Sequence, residues 1–395
     1  MRVLVLGAGR MGTAAAKDLI DSEVEVAVGE RRRESLSLCR GKVKSPKLET
    51  FKVDASNRDS LIKLLRKGDF DVVVNALPHE ISLLALKAEI DAGVNVVDMV
   101  FEDEQMELRD KVTGKGVTVI PACGVAPGLG NMLAGYGASK VDSVDTVRML
   151  CGGLPQKPTP PLDYKVVFRL ESVWAMYARG ARIVVNGEIR EVNALTGLEL
   201  VEFPGVGKFE GFYTDGLSTL LYTFKENEKF RNVKEMFEKT LRYPGHVEKI
   251  KTLMECGLLD VEPVHVRKGR ISPREFLTVL LTPKLELGDE RDMLVMRVEV
   301  LGDNECKRYT FDLVDYYDKV GEVTSMARTT GYTASIVAQL IGQGKIEEKG
   351  IIPPEELGMR DTFRLILDQL SKRGIKIKGY YSETFSSLMP ANPTA

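Results

Sequence analysis

Tryptophan occurs once in the 395 residues, histidine three times and cysteine five times. The cysteines (Cys39, Cys123, Cys151, Cys256 and Cys306) are odd in number, widely spaced and without a CxxC pair. Neither a disulfide framework nor a zinc site is indicated. Only His79, His246 and His265 remain as histidine acids or bases, and no metal is expected. An excess of one charge is also missing. Lys and Arg total 55 against 57 Asp and Glu, which leaves no basic field to attract nucleic acid or an anionic membrane. No apolar run approaches the ~20 residues that cross a bilayer. The chain opens on a strand-like run instead of a charged region followed by an apolar signal. A cytoplasmic protein is the expectation.

What is present is a globular composition, 44% hydrophobic and 28% charged, with length for two or three domains. The first stretch organises the rest. Val3 to Leu6 reads as a buried parallel strand and runs into Gly7-Ala8-Gly9-Arg10-Met11-Gly12, after which Ala14 to Ile20 has helical composition. Each glycine answers a need of a dinucleotide site. Gly7 permits the tight turn, Gly9 lets backbone approach a pyrophosphate, and Gly12 lets helix pack on strand. The pyrophosphate would meet the free N–H groups of the helix N-terminus. A second strand, Val24 to Val28, ends at Glu30, near the ~20-residue spacing at which an acidic side chain meets the ribose hydroxyls. Arg31, Arg32 and Arg33 follow and could serve a 2′-phosphate. The Glu30 carboxylate would repel that phosphate, so NAD is favoured, with NADP as the alternative.

Strand and helix alternate as far as about residue 125, six strands with short crossovers, the pattern of a doubly wound sheet. Ligands bind beyond the carboxyl ends of such strands. The candidates placed there are Glu30, Asp54 and Ala55, then Asn75, Ala76, Leu77, Pro78 and His79, then Asp98, and last Cys123 and Gly124.

Near Val144 the pattern changes. A loop rich in proline and glycine (Gly152 to Pro161) precedes a hairpin with Asn186-Gly187 at its turn. Alternating strands at Leu198 to Phe203 and Met293 to Val300 predict a sheet with one covered face. Helices near Asn232 to Phe237, Val247 to Cys256 and Pro273 to Leu281 would cover it. The expected domains are a doubly wound α/β Rossmann unit at 1–140 and an inserted α+β unit for substrate and dimerisation at 141–322. A helical segment at 323–381 would return to the first domain, leaving a flexible tail at 382–395.

Four motifs carry a resemblance: Ala122-Cys-Gly-Val-Ala-Pro-Gly-Leu-Gly-Asn131, Cys151-Gly-Gly-Leu-Pro155, Thr240-Leu-Arg-Tyr-Pro-Gly-His246 and Ser325-Met-Ala-Arg-Thr-Thr-Gly-Tyr332. In that order they resemble the signatures of the saccharopine reductase and lysine 6-dehydrogenase family, over about residues 1 to 380. The resemblance implies a nicotinamide-dependent oxidoreductase acting at a carbon–nitrogen bond of a lysine-type, basic amino acid. It also implies a homodimer. Members that cleave saccharopine carry an aspartate before the Pro-Gly of the first motif, where this chain has Ala126. They also carry an arginine in the segment matching Val173 to Gly180. Here Arg179 is displaced by a position, Ala178 carries no charge, and Trp174 and Met176 are apolar. Lysine has one carboxylate and saccharopine three, so missing anchors favour lysine.

Such chemistry needs a cation for the substrate carboxylate, a base for the ammonium proton and a wall for the nicotinamide. Arg242 suits the first role, since guanidinium grips carboxylate through two parallel bonds. His79, Asp98 and His246 are candidates for the base, and Cys123 for ligand contact, each balanced by an ordinary structural role. Trp174, Tyr177 and Tyr213 read as core. Two other classes stay open: a nucleotide sensor without catalysis, and a reductase that condenses an aldehyde with an amine.

Overall fold

The protein, a computed structural model, is described over residues 1–167, 169–267, 269–288 and 290–384. Six strands, β1 (Arg2–Leu6), β2 (Glu25–Glu30), β3 (Glu49–Lys52), β4 (Val72–Asn75), β5 (Asn95–Asp98) and β6 (Thr118–Ile120), form a parallel sheet ordered 3-2-1-4-5-6. The apolar runs that read as strands do so because helices cover both faces. Val3 to Leu6 and all of β4 are buried, with Val5 aligned to Val28 and Val74. From β1 the chain works outward to β3 and then crosses to β4 on the other side. The order therefore reverses between β1 and β4, which opens a crevice at their carboxyl ends.

A second sheet of nine strands follows. At its centre Val144–Pro155 and Glu235–Arg242 run parallel, and antiparallel strands extend it on either side. Asn186 and Gly187, at φ 53° and 79°, both take the left-handed backbone that a type I′ turn demands. The helix expected over Asn232 to Phe237 is not there. Lys234-Glu-Met-Phe-Glu-Lys has helical composition, but strand pairing on both sides of Glu235–Arg242 overrides it.

The two sheets are tied by helices. Ser325–Gly342 returns from the second sheet and lies along the helix Arg10–Asp21, also touching β4, β5 and strand Asp292–Gly302. The contact is close because Gly331 lacks a side chain. A Cβ there would stand 2.8 Å from Met11 O and 2.9 Å from Ala15 N. A two-residue strand, Gly350–Ile351, then pairs with β6 as a seventh member of the first sheet. Past helix Thr362–Lys372, a strand the sequence did not suggest, Ile377–Glu383, joins the edge of the second sheet. Ser382 and Glu383, expected in a tail, belong to that strand, and residues 385–395 lie outside the described residues.

Candidate active site

The glycine-rich turn fits a pyrophosphate on steric grounds. Gly7 sits at φ 98°, and a Cβ there would come within 2.6 Å of Ala76 O. One on Gly12 would collide with Gly7 O. Around Gly9, by contrast, nothing lies within 4 Å, so the space beside this backbone is open. Gly9 is the N-cap of helix Arg10–Asp21, whose first turn has N–H groups without helical partners and no side-chain cap. Ala76 and Leu77 pass directly alongside Gly7, and Pro78 follows them. Glu30 turns inward at the end of β2, its Oε2 accepting from Ala8 N at 3.2 Å and its Oε1 from Arg32 N at 2.9 Å. Asp54, after β3, accepts from both the N–H and the hydroxyl of Ser56, and these bonds hold its carboxyl below the usual range. Ala55 beside it is buried.

At the ends of β4 and β5 several candidates point into the protein. Asp98 is fully buried, and its Oδ2 accepts from Ser82 Oγ at 2.8 Å, Gln105 Nε2 at 3.0 Å and Asn75 Nδ2 at 3.3 Å. Its Oδ1 accepts from Val100 N at 2.9 Å. Burial outweighs these bonds and pushes its pKa up to about 7. Fully buried beneath four donors, Asp98 has no open face for a substrate proton. Asn75 is equally buried and spends its Oδ1 on Leu77 N, so it shapes the Ala76–Pro78 wall from beneath. Cys123 is buried too, its thiol held protonated by loss of water and by nearby Asp98. Gly124 beside it is locked by bonds to Ala122 O and Pro127 O. His79 differs from all of these. Its side chain is 59% exposed at the start of helix His79–Ala92, with Nδ1 3.9 Å from Glu102 Oε1.

Arg242 ends the central strand of the second sheet and is buried. Its Nε donates to Tyr177 Oη at 3.1 Å, its guanidinium lies 4.4 Å over the Tyr164 ring, and Tyr177 Oη meets His246 Nε2 at 2.9 Å. His246 is buried, and burial together with Arg242 brings its pKa down to about 3, so it stays neutral. One segment, Leu162 to Val166, links this cluster to the glycine-rich turn. Leu162 O bonds His246 Nδ1, Tyr164 underlies Arg242, and Val166 O accepts from Arg10 at 3.3 Å. Trp174 and Tyr177 are core residues, while Tyr213 is partly buried against Phe237. Two cavities, of about 590 and 320 Å³, open elsewhere, one around Asp142, Asp145 and Asp303 and the other around Arg2 and Phe51.

Comparison with known proteins now bears on these observations. The family model "Saccharopine dehydrogenase C-terminal domain" matches residues 124–375, and "Saccharopine dehydrogenase NADP binding domain" matches residues 3–120. The chain belongs to the saccharopine dehydrogenase family. It is 24% identical to the mitochondrial alpha-aminoadipic semialdehyde synthase of Rattus norvegicus, over 95% of this chain and 47% of that protein. It thus spans about half the length of such curated relatives. With saccharopine dehydrogenase [NADP(+), L-glutamate-forming] of Saccharomyces cerevisiae it shares 24% identity, over 95% of this chain and 98% of that one. The solved apo structure of the L-Glu-forming enzyme from that yeast superposes with a TM-score of 0.77 at 22% identity, covering 96% of this chain and 99% of the other. At that identity the likeness concerns the fold.

The four motifs of this saccharopine dehydrogenase family member meet around one helix N-terminus. A Cβ on Gly124 would stand 3.3 Å from Thr330, one on Gly152 would stand 2.5 Å from Leu241 O, and one on Gly153 would collide with Met326. Asp292, missed in the sequence, completes the junction. Its carboxylate accepts from the free N–H groups of Ser325 at 2.7 Å and Met326 at 2.9 Å. Ser82 and Glu89 were also missed, although a signal exists. They stand seven residues apart on the buried side of one helix, and polar residues on an apolar face invite the question of what they bond. Neither oxygen of Glu89 has a partner, and burial raises its carboxyl well above the ordinary range.

Proposed function

We propose that the protein is a nicotinamide-dependent oxidoreductase acting on the C–N bond of a lysine-type amino acid. L-lysine, deaminated at its 6-amino group to the semialdehyde, is the first substrate. The observation that carries this reading is Arg242. It is a buried guanidinium whose donors reach Tyr177 Oη and Leu241 O, and it has no ion pair with a carboxylate among the described residues. A buried cation without a counter-charge is costly, and a substrate carboxylate would supply that charge. One such cation suits a substrate with one carboxylate. The turn Gly7–Gly12 and the wall Ala76–Pro78 would hold the cofactor, whose nicotinamide, when bound, accepts hydride from the amine-bearing carbon. Water then hydrolyses the imine, releasing ammonia.

Saccharopine cleavage to glutamate is the second reading, favoured by the names of the relatives above. Its added carboxylates would need further cations. Arg169 and Arg179, whose charges reach His79, are engaged by Glu80 at 3.5 Å and Asp215 at 3.5 Å. The test offers L-lysine and saccharopine in turn, each with NAD and with NADP. Lysine should yield reduced cofactor and ammonia in equal amounts. The rate should rise with pH, because an amine of pKa ~10.4 must lose its proton before hydride departs. Glutamate release from saccharopine at a rate well above lysine oxidation would replace the first reading with the second.

A further inference from the structure

Hydride departure needs the substrate amine neutral, so a base must stand near the carboxyl ends of β4 and β5. Asp98 and Cys123 are sealed off there. His79 is not. It follows Pro78, just after Ala76 and Leu77 pack on Gly7, and more than half of its side chain is exposed. Its Nδ1 lies 3.9 Å from Glu102 Oε1. That oxygen is out of contact with water and has no hydrogen-bond partner, an acceptor awaiting a donor.

We propose that His79 and Glu102 act as a pair. Once the 3.9 Å gap between them closes, Glu102 Oε1 takes the Nδ1–H of the neutral imidazole, which leaves the Nε2 lone pair to receive a proton from the substrate ammonium. The pair rests on the amine oxidation proposed above. In the step, R–CH₂–NH₃⁺ gives one proton to Nε2 and becomes a neutral amine, and His79 becomes an imidazolium facing Glu102. The C–H bond then breaks with both electrons going to the oxidised cofactor, leaving R–CH=NH₂⁺. One proton rests on imidazole and one hydride on the cofactor, so charge and atoms balance. His79 is the catalytic residue here. Glu102 is a positioning residue that fixes the tautomer.

The groups around the ring favour the neutral form. Glu80 from its own helix and Glu102 from the chain after β5 are set against Arg169 and Arg179. Loss of water on one side, with Arg179 and Arg169 nearby, holds the His79 pKa below the usual 6.5 even against Glu80. Burial, Glu104 and Glu80 raise Glu102, and Lys87 opposes them. The imidazole is therefore unprotonated near neutral pH and ready to accept.

With only three histidines in the chain, nitrogen-15 spectra of the intact protein can read the tautomer of each without turnover. Wild-type His79 should carry its proton on Nδ1. Glu102→Leu should return it to the Nε2–H form common in free imidazole, and Glu102→Gln, whose amide oxygen can still accept, should keep it on Nδ1. In kinetics with lysine, His79→Gln should lower kcat by about 10²–10⁴-fold and move the acidic limb of the pH profile up toward the amine's own pKa of ~10.4. Cofactor affinity and melting temperature should stay at parental values. Glu102→Leu should lower kcat without raising KM. A wild-type Nε2–H tautomer, or a His79→Gln variant with the parent's kcat and acidic limb, would overturn the pair. A parent inactive on lysine counts against the substrate reading alone, because the spectra still decide the pair.

Discussion

Glu30 shows how one side chain can hold two jobs at once. Its oxygens brace the glycine-rich turn through Ala8 N and Arg32 N, and the same carboxylate stands at the end of β2 where a ribose would lie. Hydrogen bonds to a charged group are worth about 1.5–3 kcal/mol. Glu30→Ala should therefore weaken NAD binding by roughly one to two orders of magnitude. NADP binding should hold or improve, since repulsion of the 2′-phosphate disappears. Fluorescence titration with both cofactors separates the two jobs. Equal weakening of both would mean that Glu30 only supports the loop. Asp98 gives the opposite lesson. A carboxylate at a strand end reads as a base, but its four hydrogen bonds make it the post on which Asn75 and the Ala76–Pro78 wall stand.

Helix Ser325–Gly342 ties the second sheet to the cofactor turn at the level of elements. Its N-terminus carries one family motif and is capped by Asp292, and its middle lies on the phosphate-facing helix through Gly331. A side chain at 331 would press on the backbone of Met11 and Ala15. Overpacking of this kind costs about 1–3 kcal/mol. Gly331→Val should lower the melting temperature and weaken cofactor binding together, as helix Arg10–Asp21 is pushed away. Gly9→Ala is the control. Its Cβ meets nothing within 4 Å, so stability should stay near parental while cofactor affinity falls, because the methyl group occupies open space beside the turn. If calorimetry and titration show Gly331→Val binding cofactor as tightly as the parent, the helix contact has no bearing on the site.

For the molecule as a whole, buried carboxyl groups set the response to pH. Burial raises Glu238 to about 8, Asp98 to about 7 and Asp315 to about 6. The folded chain keeps these protons where the unfolded chain would release them above about pH 4. Their stabilisation is complete below that point and is lost as pH climbs through 6 to 8. His246, with its folded pKa near 3, works the other way, and its contribution fades as pH falls below 6.5. The melting temperature should therefore peak in mildly acidic buffer and decline toward pH 9. Glu238→Gln should decline less over that range, because the amide has no proton to lose. A parent whose melting temperature rises from pH 6 to 9 would contradict this balance. No helix among the described residues is long and apolar enough to cross a membrane.

The sequence by itself determined the first sheet, the glycine-rich turn and the four motifs of the family. Local physics suffices there, because a continuous β-branched run such as Asp71 to Asn75 can satisfy itself only as a doubly covered parallel strand. The glycines of the turn, likewise, are demanded by backbone conformation and close approach. Tertiary structure decided the rest. Lys234 to Lys239 looks helical until strands on both sides claim its hydrogen bonds, and Ile377–Glu383 becomes a strand only because Lys307–Tyr316 offers an open edge. The same holds for the site. Asp98 ends one parallel strand and His79 follows another, and no local signal says which one faces solvent. Packing against Ser82 and Gln105 buries Asp98, while His79 stays exposed with Glu102, 23 residues away in sequence, brought near it only by the fold.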